Sequence, residues 1–325
     1  MSFLTTLPRA RYSPKGFDGF KPAQATFSMG TAHAMAWACQ LGYETADPAK
    51  VVSIAKDWSI KVEPDWIISR ESATILPMSS TQLVVGVHDG VAIIMFPGTD
   101  PLTLPDLVTD LAFRPNTKGI ARGFADAAES VQNPIRVLLD GPLAGLPVFV
   151  TGHSLGAALA VITAQRIRAG HQERVRAVYT FGMPRPGNAA FQSVYDEALG
   201  SVTYRLVHGD DAVSTVPPAG FDARHVGRYL RCKKLGKFNA AALTSSFGSN
   251  DPDFVEGVLA QIRTQYLGPL SGVLSMAERS KLAAALLLGI GSGGMRTDPG
   301  GIAIELLPPP LRDHMPDRYI EATRE

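Results

Sequence analysis

LPVFVTGHSLGAALAVITAQ, residues 146–165, decides the reading of this chain. Its first five residues form a short apolar run with two valines and a phenylalanine, which reads as a strand. From Leu155 the pattern turns helical and alanine-rich, running to Gly170. A strand that becomes a helix within two residues, with a serine at the turn, has the form of a nucleophile elbow. The serine there must hold a strained backbone so that its hydroxyl stands clear of both elements. Residues two positions away must lack side chains so that strand and helix can approach. Gly152 and Gly156 meet that demand, and Ala157 and Ala158 keep the facing helix surface small. The plain alternative is a serine that only caps a helix. G-x-S-x-G by itself arises by chance; the strand before it and the helix after it favour the elbow, with Ser154 as nucleophile. The helix N-terminus also favours the negative charge of acyl transfer, and the backbone N–H of Leu155 is the expected oxyanion donor.

Working outward, RVRAVYTFG (174–182), VTYRLVHG (202–209) and HVGRYLRC (225–232) are further strand-like runs, the last expected to close the central sheet. Near-continuous apolar strands alternating with helices predict a parallel sheet covered on both faces. Upstream, TQLVVGVHDGVAIIMFPGT (81–99) holds two β-branched runs around Asp89-Gly90 and predicts a hairpin. Helices are expected over 25–41, 51–58 and 120–140, and residues 1–24 are irregular, with Pro8, Pro14 and Pro22. Residues 233–300 break the rhythm. Two amphipathic stretches, 251–267 and 275–294, make this segment a helical insertion in one domain spanning 1–325.

Composition narrows the function. The chain has 325 residues, 45% hydrophobic and 19% charged, with net charge +1, so a core is assured and a polyanion partner such as nucleic acid is not expected. Cys39 and Cys232 make no disulfide framework, and a buried free thiol is expected at Cys39. The longest apolar block, 282–291, is about half of the ~20 residues a spanning helix needs. The first twenty residues lack a continuous apolar region and a small-residue cleavage site. A cytoplasmic protein is the default expectation, with export by a non-standard route as the alternative. Gly289, Gly291 and Gly294 form G-x-G-x-x-G, but after a helical pattern rather than a strand, so no dinucleotide site is read there. No cofactor and no metal are expected.

A serine nucleophile needs a histidine base and a carboxylate to orient it. In this kind of fold the chain order is Ser, then acid, then His. Asp210 and Asp211 both follow a strand-like run. Of seven histidines, His33, His88, His171 and His208 precede the acid, and His153 lies inside the elbow, expected to point away from the reaction face. His225 and His314 remain. His225 precedes the last strand, whereas His314 lies in a Pro-rich loop, LPPPLRDHMPDRYI (307–320), where a base belongs.

Five segments in order, VAIIMFPGTD (91–100), GHSLG (152–156), TFGMPRPGNAAF (180–191), HGDDAVSTVPP (208–218) and DHMPDRYI (313–320), resemble the class 3 lipases, the family of the fungal triacylglycerol lipases. The resemblance implies an α/β-hydrolase fold with a mostly parallel sheet, a short helical lid and no cofactor. It implies Thr99 as the second oxyanion residue, Asp211 as the acid, with Asp210 as runner-up, and His314 as the base, followed by Tyr319. It places the lid at 100–113, where Leu104, Leu107, Val108 and Leu111 share one helical face suited to a lipid–water interface, and it gives Asp110 a support role for the oxyanion residue. Pro97 stands where the family usually has Arg, and Leu107 where it often has Trp. The implied activity is hydrolysis of carboxylic esters through an acyl-enzyme, on acylglycerols or other fatty-acyl esters. The alternatives are a short-chain, feruloyl-type or phospholipid esterase and, in another class, a non-catalytic lipid-binding protein that keeps the fold.

Overall fold

The computed structural model describes residues 5–71, 80–99, 115–170, 174–217, 222–247, 304, 307 and 309–325. Seven strands among them form one sheet in sequence order: β1 (Ile67–Glu71), β2 (Ser80–His88), β3 (Val91–Phe96), β4 (Val148–His153), β5 (Val175–Phe181), β6 (Thr203–His208) and β7 (Arg228–Cys232). β1, β2 and β3 pair antiparallel, and β3 through β7 are parallel. The hairpin between β2 and β3 turns at Asp89 (φ 45°) and Gly90 (φ 73°). Two successive positive φ values are what a tight two-residue hairpin requires.

Three helices connect the parallel strands: α3 (Arg122–Asp140), α4 (Leu155–Gly170) and α5 (Ala189–Leu199). They cover one face, where Ala92, Ile94, Phe96, Val148 and Val150 meet Phe124, Val131, Leu159, Ile162 and Phe191 in one core. The opposite face carries α1 (Met29–Gly42), α2 (Pro48–Asp57) and α7 (Pro316–Thr323), which follows a short helix α6 (Pro309–Arg312). There Ile93, Met95, Phe149 and Tyr179 pack against Met35, Trp37, Leu41 and Tyr319. Neighbouring residues of β3 therefore enter opposite cores, so both faces of the strand are apolar, as buried parallel sheets demand.

Several expectations are corrected. The first helix begins at Met29, not Ala25, because Ser28 is extended (φ −141°, ψ 146°) and its side chain accepts from Thr31 N as an N-cap. Similarly, α2 starts at Pro48, behind the cap Asp47. β7 is the outermost strand of the sheet, and its free side is met by 244–247, with Thr244 N donating to Tyr229 O at 2.9 Å and a bridge from Arg228 to Phe247. Residues 233–247, the first part of the expected helical insertion, hold only a 3₁₀ turn at Ala240–Ala242. The lid at 100–113 and positions 248–300 of the insertion lie outside the described residues. Cys39 and Cys232 are both free and buried.

Candidate active site

The elbow is built as its glycines predict. Ser154 has φ 58°, and its N–H donates to Phe181 O at 2.8 Å, tying the turn to the neighbouring strand. A Cβ on Gly152 would collide with the backbone of Gly156, and one on Gly156 with the carbonyl of Pro97. A side chain at either position would push the strand, the helix or the oxyanion loop apart. Pro97 is wedged between Gly156 and Gly42, so the proline that replaces the family's usual arginine is accommodated by two side-chain-free neighbours. Gly98 lies against Ser154, where an added Cβ would come within 2.6 Å of the serine Cβ. The loop therefore delivers Thr99, half-buried, one residue beyond the nucleophile's flank. Leu155 is buried at the first position of α4, where backbone N–H groups have no helical partner. Asp110, Leu104 and Leu107 lie outside the described residues.

Two loops carry the candidate acid and base. Asp211 follows β6, and His314 lies between α6 and α7, 103 residues away along the chain. Their side chains meet: His314 Nδ1 is 2.8 Å from Asp211 Oδ2, and both groups are buried from solvent. Asp211 also accepts from Tyr319 Oη at 2.5 Å and from Val213 N at 2.8 Å. Burial pushes the Asp211 carboxyl up, but the His314 imidazole, its hydrogen bond and that of Tyr319 outweigh it and hold the carboxyl below its usual range. With Asp211 accepting, His314 carries its proton on Nδ1 and leaves Nε2 bare as an acceptor. His314 Nε2 and Ser154 Oγ are each buried without a hydrogen-bond partner, so they do not yet bond to one another. Catalytic hydrogen bonds are often long in a free enzyme and tighten on substrate. Gly182 (φ 59°) makes room for the pair, since a Cβ there would lie 2.5 Å from Asp211 Oδ2 and 2.8 Å from His314 Nδ1.

The other candidates fall elsewhere. Asp210 is half-buried and its carboxylate pairs with Arg231 at 2.9 Å. His225 is buried with Nε2 2.7 Å from Ser214 O. His153 does not simply turn away from the reaction centre. Its ring lies 4.6 Å from that of His314, and its Nε2 is 2.7 Å from His314 O. A carbonyl only accepts, so Nε2 donates and Nδ1 accepts from Tyr43 Oη at 2.6 Å. Burial, with the nearby His314 adding to it, lowers His153 to about 3 and keeps it neutral. Tyr43, His153 and Gly182 thus support the base, and sequence reasoning missed all three. The G-x-S-x-G motif marks His153 only as a variable position, and Tyr43 is 110 residues from its partner.

Two predictions follow from these groups. Tyr319→Phe keeps the ring but removes a hydrogen bond to a charged acceptor, which is expected to cost about 2 kcal/mol. Asp211 has a depressed folded-state pKa, so its stabilisation is present above its unfolded pKa and is lost as pH falls through the folded value. The variant narrows that window, and acid unfolding followed by circular dichroism should begin at a higher pH. Secondly, His33 and His153 are lowered, chiefly by burial, to about 4 and about 3. Below about pH 6.5 the unfolded chain takes up their protons and the folded chain does not, so His153 alone costs about 1.4 kcal/mol per pH unit. Asp196, raised by burial to about 6 against the opposing pull of the Gly227 N–H and Arg205, works the other way, adding stability as pH falls from about 6 to about 4. Urea unfolding should show stability falling from pH 7 to pH 4, and more steeply in Asp196→Asn. An unchanged or shallower fall in that variant would contradict the assignment.

The geometry can be set beside known proteins. The class 3 lipase family model matches residues 93–221, which include the oxyanion loop, the elbow and Asp211. Over these residues the chain is similar to the class 3 lipases. The "secreted mono- and diacylglycerol lipase 1" of Fusarium solani is 37% identical over 110 residues, 33% of this chain and 32% of the relative. The "secreted mono- and diacylglycerol lipase MDL3" of Malassezia globosa is 37% identical over 83 residues, 26% of this chain and 27% of the relative. This chain thus spans about a third of the length of the relatives it matches. The solved triacylglyceride lipase of Rhizomucor miehei superposes with TM-score 0.55 at 21% identity, covering 72% of this chain and 94% of that one. The matched region sits in the expected α/β-hydrolase fold. The expectation of a cytoplasmic protein is corrected, since these relatives are named as secreted.

Proposed function

We propose that this chain is a secreted serine hydrolase that cleaves the esters of mono- and diacylglycerols. The observation that carries the reading is the buried Asp211–His314 pair, which leaves a bare nitrogen on a ring 4.6 Å from that of His153, the residue before Ser154 in the elbow. Ser154 Oγ attacks the ester carbonyl while His314 Nε2 takes its proton. The negative oxygen of the tetrahedral intermediate is received by the backbone N–H of Leu155 and by Thr99. His314 then passes the proton to the departing glycerol oxygen and leaves an acyl-serine. Water, deprotonated by the same nitrogen, attacks that ester and releases the fatty acid. Asp211, held by Tyr319 and Val213, keeps the imidazole in the tautomer that both steps need. The named substrates of the relatives support the acylglycerol class. The segment 100–113, with Asp110, Leu104 and Leu107, is proposed as the lid, and 233–300 as an insertion in a single domain over 1–325. No helix among the described residues is long and apolar enough to cross a membrane.

A fluorophosphonate probe tests the reading. Folded protein should be labelled once, at Ser154, and rates over a series of acyl lengths should rise when the ester is presented as an emulsion. Folded protein that resists labelling would instead support a lipid-binding protein without turnover.

A further inference from the structure

Leu235 is 80% exposed, the most exposed large apolar side chain among the described residues, and its backbone is left-handed at φ 56°. That conformation suits glycine or asparagine and disfavours leucine. A strained backbone holding an apolar side chain in water needs a reason that the folded chain alone does not provide. The sequence around it is Arg231-Cys-Lys-Lys-Leu235-Gly-Lys237, and Lys233, Lys234 and Lys237 are exposed. Among the described residues Lys233 and Lys234 form no ion pair, Lys237 Nζ reaches the carbonyl of Arg324, and Arg231 pairs with Asp210. Four cations gather here against the carboxylates of Asp210 and of the buried Asp313, which lies beside Gly209 as Lys234 does, on a chain whose net charge is +1.

The position of this loop also matters. It leaves the carboxyl end of β7, the edge of the parallel sheet from which Ser154 and Asp211 also emerge, where such sheets bind ligands. Arg231 Nη2 donates to Gly209 O at 2.8 Å, and Lys234 Cα lies 3.3 Å from where a Cβ on Gly209 would stand. Gly209 is two residues before the candidate acid. A surface that touched this loop would lie beside the turn that leads from β6 to the candidate acid.

We propose that the loop 233–237 is a docking point for an anionic lipid surface, separate from the segment 100–113. Leu235 enters the boundary between headgroups and acyl chains, and Lys233 and Lys234 take the negative headgroups. The proposal deepens the acylglycerol reading and rests on it for the substrate, because it names the surface on which the ester is met. A Lys beside an anionic surface contributes about fivefold to partition, and burying a leucine contributes about tenfold or more.

The test uses the whole chain carrying Ser154→Ala, so that lipid is not consumed, and measures partition onto phosphatidylcholine vesicles with and without phosphatidylglycerol. Binding should be tighter on the anionic vesicles and weaken with salt. Lys233→Gln with Lys234→Gln should lower partition on anionic vesicles about 25-fold. Leu235→Gly should lower it about tenfold or more on the same vesicles, without loss of melting temperature, since glycine relaxes the backbone there. Neither set of changes, made in the unmutated background, should alter the rate on a soluble short-chain ester. Equal partition onto neutral and anionic vesicles, or parental binding by either variant, overturns the proposal. Vesicle binding that follows the predicted order in a chain with no esterase activity would sink the hydrolase reading and leave the docking point standing. Esterase activity without vesicle binding would do the reverse.

Discussion

Ser154→Ala is expected to lower kcat on a p-nitrophenyl ester about 10⁶-fold. The remaining rate should still exceed that of water, because Leu155 and Thr99 still receive the oxyanion. The variant should fold at least as well as its parent. Ser154 Oγ is buried without a hydrogen-bond partner, and an unpaired buried hydroxyl costs about 1–3 kcal/mol that alanine does not incur. Alanine meets the same positive φ as serine, so the backbone term is unchanged. The diagnostic result is therefore a catalytically dead protein whose melting temperature stays level or rises. Retained activity, or loss of activity through unfolding, would contradict the role given to this residue.

Asp211→Asn carries the second large effect, a fall in kcat of about 10⁴-fold. The asparagine oxygen can still accept from Val213 N, as Asp211 Oδ1 does at 2.8 Å. Its amide nitrogen then faces His314 Nδ1 as a donor, where the carboxylate accepted at 2.8 Å. The imidazole proton is driven to Nε2, and the nitrogen that must take the serine proton no longer can. Tyr319 Oη, 2.5 Å from Asp211 Oδ2, loses its charged acceptor as well, so some stability goes with the activity. Asp210→Asn is the control. Its carboxylate lies in an exposed pair with Arg231, and exposed pairs contribute little. That variant should keep its kcat. The reverse outcome, with Asp210 essential and Asp211 dispensable, would move the acid by one residue and break the proposed relay.

What was legible in the sequence was local. The elbow could be read because strand, turn and helix are contiguous and because close approach at Gly152 and Gly156 excludes any side chain. The hairpin was legible for the same reason: Asp89-Gly90 is one of the few pairs that accept two positive φ values. The acid and base needed an ordering rule and a family resemblance, since nothing near Asp211 in the chain points to residue 314. Three elements escaped, among them the short helix α6, which lies in the stretch read as a Pro-rich loop. β1 has three exposed residues of five and so lacks an apolar run. α5 lay inside a motif read for its resemblance, although Asn188 caps it through Ala190 N and Phe191 N and could have marked its start. The last strand was legible as the one that closes the sheet, but not that its free side is met by 244–247. The support beneath the base was invisible, because His153 and Tyr43 meet only after the sheet and α1 have packed together.

The uneven reach of these contacts governs the order in which reactivity can arise. The close backbone contacts that shape the turn at Ser154 reach from Phe96 and Pro97 before it to Phe181 after it. The histidine proposed to make its hydroxyl nucleophilic closes a span of 103 residues to reach its carboxylate, and the helix that follows it supplies Tyr319 to the same carboxylate. Long closures form late in folding. On the proposed mechanism, a polypeptide interrupted before residue 309 would own the turn and an inert alcohol, so reactivity would arrive only when the segment carrying residues 314 and 319 docks, and the half-made molecule would be harmless to the esters around it.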